Sequence, residues 1–94
     1  MSTSNSIIKK GHLDEIHQFL TSQGMSQSEI DEIVPKDNIN ESVAKNCYIE
    51  SESCKPAGHG NYDSGRRTRV VCEDQNGKLY EGRWSGCVSD NTGH

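Results

Sequence analysis

Apolar positions in the first half of the chain recur at helical spacing. Leu13, Ile16, His17 and Leu20 fall at i, i+3, i+4 and i+7, and Gly24 follows where a left-handed terminating residue belongs. This pattern predicts a helix from about Leu13 to Gln23. Ser26-Gln27-Ser28-Glu29 is a capping box, with Met25 and Ile30 placed as a hydrophobic staple. The helix it starts carries Ile30, Ile33 and Val34 and should stop there, because the residue before Pro35 is pushed out of the α region. Asn38 followed by Glu41 repeats the cap pattern and predicts a further turn or two over Ile39 to Lys45. The expected product is a helical hairpin, which is marginal on its own.

Behind Asn46 the pattern changes to glycine, aromatic and β-branched residues. Arg67 to Glu73 and Lys78 to Trp84 are strand-like runs joined through Asp74-Gln75-Asn76-Gly77, and Asn-Gly is a strong hairpin signal because both residues accept positive φ. With Asn76 and Gly77 as the two loop residues, Glu73 faces Tyr80, Val71 faces Gly82 and Arg69 faces Trp84. Arg69 can then lie over the Trp84 ring, a contact of roughly 0.5–2 kcal/mol. A third strand near Cys47 to Glu52 is needed, since two strands are seldom stable in water. The run from Cys54 to Arg66, rich in Gly, Pro and Asn, reads as a surface loop. The fold class expected is α+β: a disordered N-terminus over 1–12, a helical hairpin within 13–46, a small disulfide-stabilised antiparallel β module over 47–88, and a disordered tail over 89–94.

Composition sharpens this picture. The apolar fraction is 30%, against roughly 45–50% in an average globular domain on a scale that also counts glycine, so burial offsets little of the chain entropy. At 94 residues, such a chain commonly needs a disulfide, a metal or a partner. All four cysteines, Cys47, Cys54, Cys72 and Cys87, lie in the second half. Their gaps of six, seventeen and fourteen residues contain no close pair of the kind structural zinc sites use, so two disulfides are preferred over zinc, with three connectivities open. No metal and no cofactor are expected. Disulfides want an oxidising compartment, which leans localisation towards secreted or extracytoplasmic, yet Met1 to His12 offers only Ile7 and Ile8 as an apolar patch and no standard signal peptide.

The net charge of −4 argues against a general affinity for nucleic acid or anionic membrane. No apolar run approaches the roughly 20 residues a membrane-spanning helix needs. Acidity sits in front, with 4 Lys/Arg against 7 Asp/Glu up to Asn46 and 6 against 7 after it. Arg66, Arg67 and Arg69 form the only basic cluster, and with Trp84 they could grip an acidic partner through bidentate and stacking contacts. The plainer alternative is cross-strand pairing with Glu50, Glu52, Glu73 and Glu81. A third possibility is that the acidic helices mask this face. His59 and Tyr62, in the Cys54–Arg66 loop, are further candidates for partner contact. Cys54, His59 and Asp63 would suit a nucleophile and base only inside a shaped, dry cleft, and a loop histidine beside a cystine is the preferred reading. His12 and His17 do not share a helix face; one is expected at a cap or core edge and the other in solvent.

Two stretches resemble known families. Gly65-Arg-Arg-Thr-Arg-Val-Val-Cys72, followed by Asn76-Gly-Lys-Leu-Tyr-Glu-Gly82 and Cys87, is similar to the middle of a thrombospondin type 1 repeat, in which strand arginines stack between tryptophans. That resemblance over 65–87 implies an extracellular-type binding unit. Residues 19–34 resemble the helix-turn-helix of the peroxin-14 N-terminal domain, a peptide-binding module. The acidic helix Ser28 to Ile33 is similar to leader peptides of exported bacterial peptides. The function expected is therefore a non-enzymatic protein-binding or inhibitor protein acting through the stapled β module on a protein partner. The alternative is a leader-bearing precursor of an exported antimicrobial or signalling peptide.

Overall fold

The computed structural model describes residues 6–36, 39–55 and 65–89. In chain order these form β1 (Ser6–Gly11), α1 (Leu13–Ser22), α2 (Gln27–Ile33), α3 (Glu41–Ala44), β2 (Cys47–Cys54), β3 (Gly65–Glu73), β4 (Leu79–Glu81) and β5 (Val88–Ser89). The class is α+β. The sheet is antiparallel in the order β1-β2-β3-β4, and β5 pairs with β3 at the end that β4 leaves open.

Local chemistry explains each helix boundary. His12 caps α1: its Nδ1 accepts the Asp14 N–H at 3.0 Å, while Glu15 Oε1 accepts the His12 N–H at 3.1 Å. Asp14 and Glu15 also place negative charge at the positive end of the helix. At the other end the Met25 N–H donates to the Leu20 carbonyl and the Gly24 N–H to the Thr21 carbonyl. Gly24 stands at φ 94°. These bonds form a Schellman turn, which glycine accommodates because it has no Cβ to clash in the left-handed region. The capping box of α2 forms as the sequence predicts, with Ser26 Oγ accepting from Glu29 N–H at 3.3 Å and Glu29 Oε1 from Ser26 N–H at 2.8 Å. The last helix is a single turn, capped by Asn40, whose Oδ1 accepts from Val43 N–H at 3.0 Å. The expected cap, Asn38, lies outside the described residues, and the helix begins two residues later than its pattern suggested.

One core serves both halves of the chain. Ile16, Leu20, Ile30, Ile33, Val34 and Val43 from the helical side pack against Cys47, Ile49, Val70 and Cys72 of the sheet. The helical segment and the β module expected from the pattern thus share a single core. Residues 6–11 depart from the expected disorder. They pair antiparallel with β2 as the sheet's edge, with a bulge between Ile7 and Lys9. The strand expected near Cys47 is β2, and it runs to Cys54 in the sheet's interior, between β1 and β3. Ser89 belongs to β5 rather than to a tail, while residues 90–94 lie outside the described residues.

Two disulfides are formed, Cys47–Cys72 and Cys54–Cys87, which selects one of the three connectivities. Cys47 and Cys72 face each other across β2 and β3 and are 1% and 0% exposed, so this bridge is part of the core. Cys54, opposite Gly65 at the other end of β2, ties that end to the segment just before β5. Both ends of β2 are thus held covalently.

The β3–β4 hairpin forms, but its register differs by one residue from the expected one. Glu73 faces Leu79, Cys72 faces Tyr80 and Val71 faces Glu81. Asp74 N–H donates to the Lys78 carbonyl and Gly77 N–H to the Asp74 carbonyl, leaving Gln75, Asn76 and Gly77 as a three-residue loop with Gly77 at φ 85°. The deciding group is the Asp74 carboxylate, whose Oδ1 accepts from both Asn76 N–H at 2.8 Å and Lys78 N–H at 2.9 Å. Aspartate thereby closes the turn through its own side chain and displaces the two-residue alternative.

Candidate functional site

The sheet has two unlike faces, because β2 and β3 alternate side chains in register. Ile49, Val70 and the Cys47–Cys72 bridge point towards the helices. Glu50 opposite Arg69, and Glu52 opposite Arg67, point the other way. Trp84 reaches this second face through a bulge. Gly82 N–H donates to the Val70 carbonyl and Ser85 N–H to the Thr68 carbonyl, both at 2.8 Å. Arg83 and Trp84 therefore stand opposite the single residue Arg69, and the extra residue offsets the one-residue register difference in the turn. Arg69 comes over the indole after all.

The resulting cluster is a ladder of alternating charge around one aromatic ring. The Arg69 and Arg67 guanidinium carbons lie 4.5 and 4.7 Å from the Trp84 ring centroid. Arg69 Nε donates to Glu50 Oε1 at 2.9 Å, and its Nη2 lies 3.4 Å from Glu81 Oε2. Arg67 pairs with Glu52. The Arg69 and Glu50 side chains are only 19% and 16% exposed, so this ion pair is screened by solvent less than an open surface pair. Trp84 itself is half-buried. Fixed guanidinium planes beside an indole make a rigid surface whose side chains have little conformational entropy left to lose in any contact.

The candidates separate as follows. Arg67, Arg69 and Trp84 are brought together. Arg66 is not with them: it lies opposite Ser53, and its Nε donates to Oγ of buried Ser51 at 3.0 Å. Cross-strand pairing with glutamates holds for Arg67 and Arg69, through Glu50, Glu52 and Glu81. Masking by the acidic helices does not hold, since the helices cover the opposite face. His59 and Tyr62 lie outside the described residues, as does Asp63, so the Cys54–His59–Asp63 grouping does too; Cys54 is in a cystine. Cys47, Cys72 and Cys87 are likewise bonded.

Titratable groups are tuned both away from this face, at His12 and Asp74, and on it, at Tyr48. His12 Nε2 is 2.9 Å from Glu41 Oε2, and that hydrogen bond raises the His12 pKa and lowers that of Glu41. The Lys78 N–H, followed by the Asn76 N–H and the Tyr80 hydroxyl, holds the Asp74 carboxyl below its ordinary value. Burial pushes the Tyr48 phenol up, helped by the Glu50 charge beside it. Among the described residues no cluster of three His, Cys, Asp or Glu side chains could hold a metal ion, and no helix is long and apolar enough to cross a membrane.

A second feature was not foreseen from the pattern. An open groove of about 460 Å³ lies between β1 and the α1–α2 turn, lined by Ile8, Phe19, Leu20, Met25, Ile49 and Val88 among others. The signal was present in the β-branched pair Ile7-Ile8, but two such residues beside two lysines are too short a pattern to announce a strand.

Comparison with known proteins gives no match to a family model, to a curated protein or to a solved structure. Function rests on the geometry of the chain itself.

Proposed function

We propose that this protein is a non-enzymatic binding protein of inhibitor type, which presents the helix-free face of its stapled sheet to a protein partner. The observation that carries the reading is the half-buried Trp84 ring flanked by Arg67 and Arg69, each held by a carboxylate from a neighbouring strand. Tryptophan and arginine dominate binding hot spots because they combine large contact area with directional polar groups. The helices are read as a hairpin that backs the sheet and leaves this face free. Two disulfides are compatible with an extracellular setting, where such a module would meet its partner.

The precursor alternative is less well supported. Release of a peptide from about Cys47 onward would strip Ile16, Leu20, Ile30 and Ile33 from Ile49 and Val70 and leave a stapled sheet with an exposed apolar face. Affinity capture with the intact, oxidised chain tests the preferred reading. Trp84→Ala and Arg67→Glu should lose the captured partner while keeping both disulfides and cooperative unfolding. Unchanged capture by both variants overturns the proposal, and intact-mass detection of a mature species starting near Cys47 restores the precursor.

A further inference from the structure

The strand β1 is an edge: among the described residues it pairs with β2 alone. Alternate backbone N–H and C=O groups along it face outward, the template that a further strand can use. Ile7 and Ile8 are each 51% exposed on this edge. The bulge after Ile7 brings Lys9 opposite Ile49, on the helix side, where its Nζ stands 5.8 Å from the Phe19 ring centroid. Ile8 lines the 460 Å³ groove with Phe19 and Met25. An extended chain added to β1 would therefore have both backbone partners and, beside them, a mostly apolar slot within the size range of ligand pockets.

Charge selects the occupant. Lys9 and Lys10 both lie on this strand, one directed to each face of the sheet by the register with Ile49 and Tyr48. Glu15, beside Gly11, already accepts the His12 N–H. A second copy of the chain would crowd four lysines onto one two-stranded ladder, and edge lysines and bulges disfavour such self-pairing. We propose that β1 is a peptide-docking edge for an extended segment of alternating apolar and acidic residues, whose acidic side chains lie on the face of the sheet to which Lys10 points while its apolar ones lie on the other face, one of them entering the groove beside Ile8. This surface is distinct from the Trp84 ladder and would let one small protein hold two segments.

The test uses the full oxidised chain and a fluorescein-labelled, end-capped seven-residue peptide alternating valine and glutamate, with a valine–lysine counterpart. Saturable binding of the acidic peptide is expected, with amide shifts and hydrogen-exchange protection confined to residues 6–11 and the groove. Lys10→Glu should weaken it at least about tenfold, Ile8→Asp should do likewise, and Trp84→Ala should leave it unchanged. No saturation at millimolar peptide, equal binding of the lysine peptide, shifts on the Arg67–Trp84 face, or concentration-dependent dimerisation through β1 would each overturn the proposal.

Discussion

Single residues set the tolerances of this fold. A Cβ built on Gly82 would stand 1.8 Å from the Ile33 carbonyl oxygen and 2.5 Å from its carbon, so the end of α2 rests directly on the backbone after β4. The contact is to backbone and cannot be relieved by turning a side chain. Gly82→Ala is expected to cost about 3 kcal/mol or more, as overpacking of a close contact does, whereas Gly86→Ala, with nothing within 4 Å of its Cβ, should stay within about 0.5 kcal/mol. Denaturant midpoints of the two oxidised variants decide this. Asp74 gives a pH signature. Its folded pKa is lowered, so its contribution is present above its ordinary value of 3.8 and is lost as pH falls through the folded value. Asp74→Asn should flatten that part of the acid limb in a series of melting temperatures; an unchanged limb would place the acid sensitivity elsewhere, with Glu29 and Glu41 the other lowered carboxyls among the described residues.

At the scale of elements, the sequence was readable where one local rule had no rival. The cap box at Ser26, the Gly24 stop and the break before Pro35 depend on neighbours a few residues away, and all three occur. Replacing Ser26 by alanine should cost about 1 kcal/mol, measured by chemical denaturation. The hairpin was readable as a hairpin but not in register, because Asn76-Gly77 suits a two-residue loop while the Asp74 carboxylate closes a three-residue one. Strand β1 was not readable, since its pairing with β2 crosses some forty positions of chain and only two of its residues are β-branched. Within the candidate site, Arg69 and Trp84 were foreseen as a contact only because two one-residue differences cancel. Arg66 was misplaced because adjacent strand residues point to opposite faces. His12 joins α1 to α3 through Glu41, and its raised pKa acts with the opposite sign to Asp74: that contribution is full below its ordinary value of 6.5 and is lost as pH rises through the folded value. Glu41→Gln should remove most of this slope between weakly acidic and neutral pH, followed by thermal unfolding.

For the whole molecule, the bridges and the shared core compensate for a sparse interior. The Cys54–Cys87 link spans 33 residues and lies at the sheet's margin, so replacing both cysteines with serine should cost about 2–4 kcal/mol, chiefly through the freed unfolded chain. The Cys47–Cys72 pair spans 25 residues but sits fully inside the core, and its double serine variant adds buried hydroxyls to that loss. It should be the more damaged of the two, as read by urea unfolding; equal stability would mean the core pair packs no better than the marginal one. Removing residues 1–46 should abolish cooperative folding even with both bridges intact, because Ile49 and Val70 lose their cover.

The pairing of cysteines has one more outcome. Cys47 and Cys54 lie before residue 55, and Cys72 and Cys87 lie after residue 71, so each bond straddles the stretch between. A protease that hydrolyses one peptide bond there gains a water's mass of product and no separation: two fragments remain joined at two points. A nicked molecule of this kind would travel as a single particle until a reductant opens both bridges.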